Sequence, residues 1–183
     1  MKTHAVLLRG VNMAGHKKVA MADLRSFAAK LGFEGAQTLL QSGNLVFQSD
    51  RRPADIERLL ESEAGKRLGL KTEFFARTSE ELAEVIARNP FPEAAEKDPS
   101  HLVVVFLKDA PDAGRVRALR AAVVGPELLI AWGRQLYVTY PAGIGDSRLT
   151  AALIDRHLAT RGTARNWNTI RKLAALAGGG PRP

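Results

Sequence analysis

The order in which two hydrophobic periods alternate along the chain restricts its fold more than any other feature. His4 to Leu8 is a short apolar run that suits a buried strand. Met21, Leu24, Phe27, Ala28 and Leu31 then recur at helical spacing, and Gly32 stops the helix. Ala36 to Leu40 reads as a second strand, Ser42-Gly43 as a tight turn, and Asn44 to Gln48 as the returning strand. Pro53 opens a helix to about Leu68, with Ile56, Leu59 and Leu60 on one face and Gly69 as its stop. Thr72 to Ala76 is a further strand. Strand, helix, strand, strand, helix, strand is the split βαβ order of ferredoxin-like folds.

The order then begins again. Thr78-Ser79-Glu80-Glu81 is a capping box for a helix that ends by Asn89-Pro90. Residues 90–100, with three prolines, read as a linker or long loop. Leu102 to Leu107 is a fully buried strand, and Pro111 to about Val124 a helix. Glu127 to Trp132 and Gln135 to Tyr140 flank Gly133-Arg134, a two-residue hairpin turn. Thr150 to Ala159 and Asn166 to Leu176 are helical. The fourth strand of this second set is missing or reduced to a few residues near Thr163. The expected fold is α+β: a first ferredoxin-like subdomain over 1–77, a helix and connecting loop over 78–100, and a second over 101–177. The second is incomplete and followed by C-terminal helices, and 178–183 form a frayed tail. The halves share element order with no residue-level repeat visible in the sequence.

Composition excludes several classes. The chain has no cysteine, so disulfides, thiolate metal sites and cysteine nucleophiles are ruled out. No apolar run approaches the roughly 18–20 residues of a membrane span. Ala5 to Leu8 is too short for a signal-peptide core of about 7–15 residues, so a cytoplasmic location is expected. Net charge is +8 and unevenly spread. Residues 1–77 carry 13 Lys+Arg against 8 Asp+Glu, residues 78–147 carry 7 against 10, and residues 148–183 carry 7 against 1. Basic ends favour an anionic partner, either a phosphorylated small molecule or nucleic acid; the same charge also serves solubility alone.

Topology gathers separate motifs. In a split βαβ unit the first two strands are parallel, and the third lies antiparallel between them. Arg9 to Asn12, Gln41-Ser42 and Gly43-Asn44 therefore share one sheet edge, where the first helix also begins. Helix N-termini favour anions. Arg9 offers a bidentate fork, Lys17 and Lys18 point charges, and Gln41, Ser42 and Asn44 neutral hydrogen bonds. Gln41 and Asn44 also suit a purely local role, satisfying backbone groups beside the turn. The spacing Gly10 to Gly15 glances at a P-loop, but the lysine comes one position late and no Ser or Thr follows it. A second glycine-spaced polar run, Tyr137 to Thr150, contains Arg148 and also suits a loop shaped by glycine and capped by Thr150, and a third, Thr163 to Thr169, contains Arg165 and Asn166. In that third run Asn166 also suits a helix N-cap, with Trp167 as a packing anchor. His4, His16, His101 and His157 lack metal-ligand spacing, and only His16 lies in a candidate site. No acid/base pair or nucleophile constellation is assignable, so no reaction and no cofactor is implied. The paucity of aromatics in the first and third strands argues against RRM-type RNA recognition.

Five runs in order carry a resemblance. They are Leu7 to Asn12, Leu40 to Asn44, Asn89-Pro90-Phe91, Tyr140-Pro141 through Ser147 to Thr150, and Thr163 to Thr169. Through them the chain, from about residue 3 to 177, resembles the bacterial domain-of-unknown-function family 1697. Arg148 stands where such proteins often have lysine, which keeps the charge, and Met13-Ala14 replaces a smaller Val-Gly-like pair. The resemblance implies a two-part α+β fold of ferredoxin-like pieces and marks the three polar loops as signature runs. It implies no activity. The leading expectation is an anionic ligand held by Arg9, Asn12, His16, Lys17, Gln41, Ser42 and Asn44, completed by Arg148, Arg165 and Asn166. The rivals are a nonspecific nucleic-acid binder and an interaction module that presents Trp132, Tyr137, Tyr140 and Trp167 as an exposed patch.

Overall fold

A computed structural model describes residues 1–14 and 17–178. The first half runs β1 (Lys2–Leu8), α1 (Met21–Lys30), β2 (Glu34–Thr38), β3 (Asn44–Ser49), α2 (Pro53–Leu68) and β4 (Phe74–Thr78). Its sheet has the order β2-β3-β1-β4, with every neighbouring pair antiparallel. The strand period of two puts Val6, Leu8, Leu45, Phe47, Phe74 and Ala76 into one core with Leu24, Phe27 and Ala28 of α1 and Ile56, Leu60 and Ala64 of α2. Phe33 stacks on Phe47 within it, ring centroids 4.1 Å apart. The opposite face is buried too, at Ala5, Leu7, Val46, Phe75 and Arg77. Burial on both faces explains why these strands are apolar runs rather than alternating ones.

The second half adds α3 (Ser79–Ala87), α4 (Pro92–Lys97), β5 (Leu102–Leu107), α5 (Ala113–Ala122), β6 (Leu128–Trp132), β7 (Gln135–Thr139), α6 (Ala151–Leu158), β8 (Gly162–Asn166) and α7 (Trp167–Ala177). Its sheet order, β6-β7-β5-β8, repeats that of the first. Two expectations change here. The fourth strand is present and fully paired: β8 brackets Thr163 and runs antiparallel to β5, from Val103↔Asn166 to Leu107↔Gly162. At five residues it is too short, and too polar at Thr163 and Arg165, to stand out by pattern. Residues 90–100 are also not all loop, because Pro92 at the first helical turn nucleates α4 instead of breaking structure. The expected tail lies outside the described residues from 179 onward.

The chain packs as two units, Met1–Glu84 with the chain from Arg171 onward, and Val85–Ile170. These limits cut through α3 and α7 rather than falling at 77 and 101.

Strand register reveals a repeat that the linear sequence hides. Thr78 and Asn166 each cap the helix that follows at once. Glu81 N donates to Thr78 Oγ1 (3.1 Å), with Thr78 N returning to Glu81 Oε2 (2.8 Å), and Thr169 N donates to Asn166 Oδ1 (3.0 Å). Ala-Arg precedes both caps. Arg77 Nη1 donates to Ala76 O at 2.8 Å and Arg165 Nη1 to Ala164 O at 2.9 Å. Buried apolar residues follow at matching offsets, Leu82 and Val85 in one copy, Ile170 and Leu173 in the other.

His4 gives the fold a pH dependence. It is buried in β1 with Nε2 3.2 Å from Ser49 O, and burial lowers its pKa from 6.5. The fold thus favours the neutral ring, while the unfolded chain takes up a proton near 6.5. This contribution to stability is complete above that pH and lost as pH falls from there through the lowered folded value. Urea midpoints should drop between pH 7 and 5, and His4→Leu should flatten that part of the profile.

Candidate functional site

The first sheet edge forms as the topology requires. Leu7 pairs with Asn44 and Thr38 with Leu45, and Leu8 N donates to Gly43 O at 2.9 Å. Asn12, in the left-handed region at φ 54, binds the loops together. Its Nδ2 donates to Val19 O (2.9 Å) and Gln41 O (2.8 Å), its Oδ1 accepts from Val19 N (2.9 Å), and its own N donates to Lys17 O (2.8 Å). Asn44 is fully buried and donates to Leu39 O (2.8 Å) and Ser42 Oγ (3.0 Å), the local turn role rather than a ligand role. Gly43 packs so tightly that a Cβ there would lie 2.5 Å from Val11 Cγ2.

The cationic side of the edge is more open. Arg9 is part-exposed, its Nη1 3.7 Å from Glu73 Oε2. Lys17, Lys18, Gln41 and Ser42 are exposed. Among the described residues neither lysine has an ion-pair partner. Helix α1 starts after Ala20, which supplies no side-chain cap, so among the described residues no side chain caps its first N–H groups. His16 lies outside the described residues.

The second and third polar runs both belong to the second unit and share a cavity of about 420 Å³ lined by Tyr140, Ser147, Leu149, Thr150, Ala164 and Asn166 among others. Tyr140 Oη donates to Leu149 O at 3.0 Å, and burial with nearby Glu127 pushes its pKa up to about 12, so the phenol stays protonated. Ser147 Oγ donates to Glu127 Oε1 and accepts from Leu149 N (3.0 Å), which shapes the loop. Thr150 caps α6 through Leu153 N (3.2 Å), as expected. Arg165 is a strand residue rather than a loop residue. By alternation it shares the sheet face of Val104, away from the core side, and its Nη1 also donates to Thr163 Oγ1 at 2.9 Å. Desolvation lowers its pKa to about 10, which leaves it charged at neutral pH. Arg148 is exposed beside a shallower 280 Å³ hollow that also holds Glu127 and Asp146. The ten expected site residues thus divide between the two units and are not one constellation within either.

Sequence reasoning passed over one feature. Pro90-Phe91 and Tyr140-Pro141 converge on a 480 Å³ hollow whose wall carries His101 Nδ1 hydrogen-bonded to Asp98 Oδ2 at 2.9 Å. The signal available was Asp98 and His101 at one-turn spacing before a strand. Of the four aromatics in the rival interaction-module reading, Tyr137, Tyr140 and Trp167 are buried, and Trp132 is partly buried with Arg88 4.4 Å over its ring. Among the described residues no three His, Asp or Glu side chains converge as metal ligands, and no helix is long and apolar enough to cross a membrane.

Comparison with curated proteins finds no match. Among solved structures the chain is similar to the conserved bacterial protein SP0830 from Streptococcus pneumoniae, at 21% identity with a TM-score of 0.76, covering 96% of this chain and 98% of that one. At that identity the likeness establishes the shared fold. The sequence model for proteins of unknown function designated DUF1697 matches residues 1–137, which span the whole first sheet and its loops, and the chain belongs to that family.

Proposed function

We propose that the protein binds a small anionic ligand, phosphate- or nucleotide-like, at the basic edge of its first unit. The observation that carries this reading is the side-chain-uncapped N-terminus of α1, delivered by a loop that Asn12 pins and flanked by exposed Lys17 and Lys18. Oriented N–H groups, a helix dipole and two cations without carboxylate partners among the described residues form an anion site at little reorganisation cost. Arg9 contributes less than sequence alone suggests, because Glu73 already faces it. Asn44 supports the turn and takes no part in binding.

Thermal unfolding in pyrophosphate and ATP, against chloride at equal ionic strength, tests this. A ligand at one hundred times its dissociation constant should add about 2.7 kcal/mol. Replacing Lys17 and Lys18 together by Ala should remove most of that gain, and Arg9→Ala only part of it. The absence of any anion-specific shift overturns the reading. Binding that falls steeply with salt and ignores these substitutions would mark a diffuse nucleic-acid binder instead.

A further inference from the structure

Each sheet ends in an edge strand, β4 in one copy of the fold and β8 in the other, and the two edges are finished differently. β4 pairs only with β1, and β8 only with β5. Arg9 N donates to Glu73 O (3.1 Å) and Lys108 N to Arg161 O (2.9 Å). By alternation from these pairs, Phe74, Ala76 and Thr78 turn their N–H groups away from the first sheet, and Gly162, Ala164 and Asn166 away from the second. In the first copy a carboxylate holds each group. Phe74 N donates to Glu61 Oε1 (3.0 Å), Ala76 N to Glu57 Oε1 (2.8 Å) and Thr78 N to Glu81 Oε2 (2.8 Å). Helix α2, with 16 residues, supplies two of these acids, whereas its counterpart α6 has 8 residues. The place of Glu81 is taken in α7 by Thr169, which donates to Asn166 Oδ1 and returns nothing to its N–H. Among the described residues, no acceptor meets the outward N–H of Gly162, Ala164 or Asn166. An edge strand left in this state is a template for another chain.

The open edge borders the 420 Å³ cavity, whose lining includes the aliphatic Val103, Val105, Leu149 and Ile154. Ala164 is exposed there, Asn166 is half-buried, and Gly162 lies deeper. Ala164 O already accepts from Arg165 Nη1 at 2.9 Å, so the edge offers donors more than acceptors. Donors on alternate strand residues recur roughly every 6.5–7 Å, the interval at which a second extended chain presents its carbonyls. The charge around them is cationic. Arg165 lines the cavity, Arg156 of α6 and Arg161 just before β8 are exposed, and Asp155 is the single acid in the lining. We propose that β8 is a docking edge for an extended, acidic peptide segment. The segment adds as a fifth strand of the second sheet, accepts from Ala164 and Asn166 N–H with its backbone carbonyls, and lays alternate aliphatic side chains into the cavity. A second copy of the chain would bring the same arginines to the edge, and like charge disfavours that pairing. The site is independent of the anion edge of the first unit.

The test is amide NMR with hydrogen exchange on the full chain, titrated with the peptide acetyl-Glu-Val-Thr-Val-Glu-amide. Bound peptide should slow exchange at Ala164 and Asn166 about tenfold or more, and by much more than at Thr163 and Arg165, which already pair with β5. The lysine counterpart, acetyl-Lys-Val-Thr-Val-Lys-amide, should bind about tenfold more weakly. The glutamate peptide with every amide N-methylated should not bind, because it cannot extend a sheet; this arm needs no protein variant. Ala164→Pro removes one donor at a position where an edge strand tolerates proline, so it should abolish binding while the remaining amide spectrum stays folded. Four results would overturn the proposal. They are no protection of Ala164 and Asn166 by the glutamate peptide, N-methylated peptide binding as tightly as its parent, lysine peptide binding as tightly as glutamate, or a peptide-free dimer in which these two amides are already protected.

Discussion

Gly43→Ala should destabilise the first unit by about 2–4 kcal/mol, combining a left-handed backbone with overpacking. Gly43 sits at φ 82, where a Cβ is strained. That Cβ would also approach Val11 Cγ2 to 2.5 Å and Leu8 Cβ to 3.0 Å, both in the buried core. Neither neighbour is the end of a flexible chain, so the turn and β1 must separate. Gly10 isolates the two causes. It has φ 60 with nothing within 4 Å of its Cβ position, so Gly10→Ala carries strain without a clash. Urea unfolding of both variants should show Gly43→Ala as clearly the worse, and equal losses would mean that the contacts of Gly43 relax freely.

Asn12→Ala should cost about 2–4 kcal/mol, from three side-chain hydrogen bonds and a left-handed residue that alanine tolerates poorly. Val19 N, Val19 O and Gln41 O would all lose their partner. Asn12→Gly loses the same bonds but accepts φ 54, so it should be less damaging by about 1 kcal/mol. Both variants should also weaken pyrophosphate, although Asn12 is spent on the backbone and does not touch the ligand. The bonds to Val19 position the chain that leads into α1, and without them the lysines and the helix start no longer arrive as one surface. Unchanged affinity in a folded Asn12→Gly protein would show that the loop needs no such tie.

How much of this was legible depended on whether a signal was local. Thr78 to Glu81 announced its capping box because cap and partner lie three residues apart, and Pro53 with Gly69 marked both ends of α2. The edge itself followed from strand order, since any split βαβ unit joins Arg9 to Asn12 with Gln41 to Asn44. What the side chains do there was not legible. Asn12 and Asn44 looked like ligand groups, yet both are consumed by carbonyls that become neighbours only after folding. Arg165 looked like a loop cation, because a five-residue strand containing Thr and Arg carries no hydrophobic signature.

The division of the chain also orders its birth. Residues 85–170 form one continuous unit, whereas the other combines Met1–Glu84 with the chain from Arg171 onward. During synthesis, everything the second unit requires has been made by Ile170, while the unit begun first still waits for its last segment. The unit begun earliest is finished latest: its core between the sheet, α1 and α2 is complete by Ala76, but the segment that closes the unit comes only after roughly half the chain has been elongated.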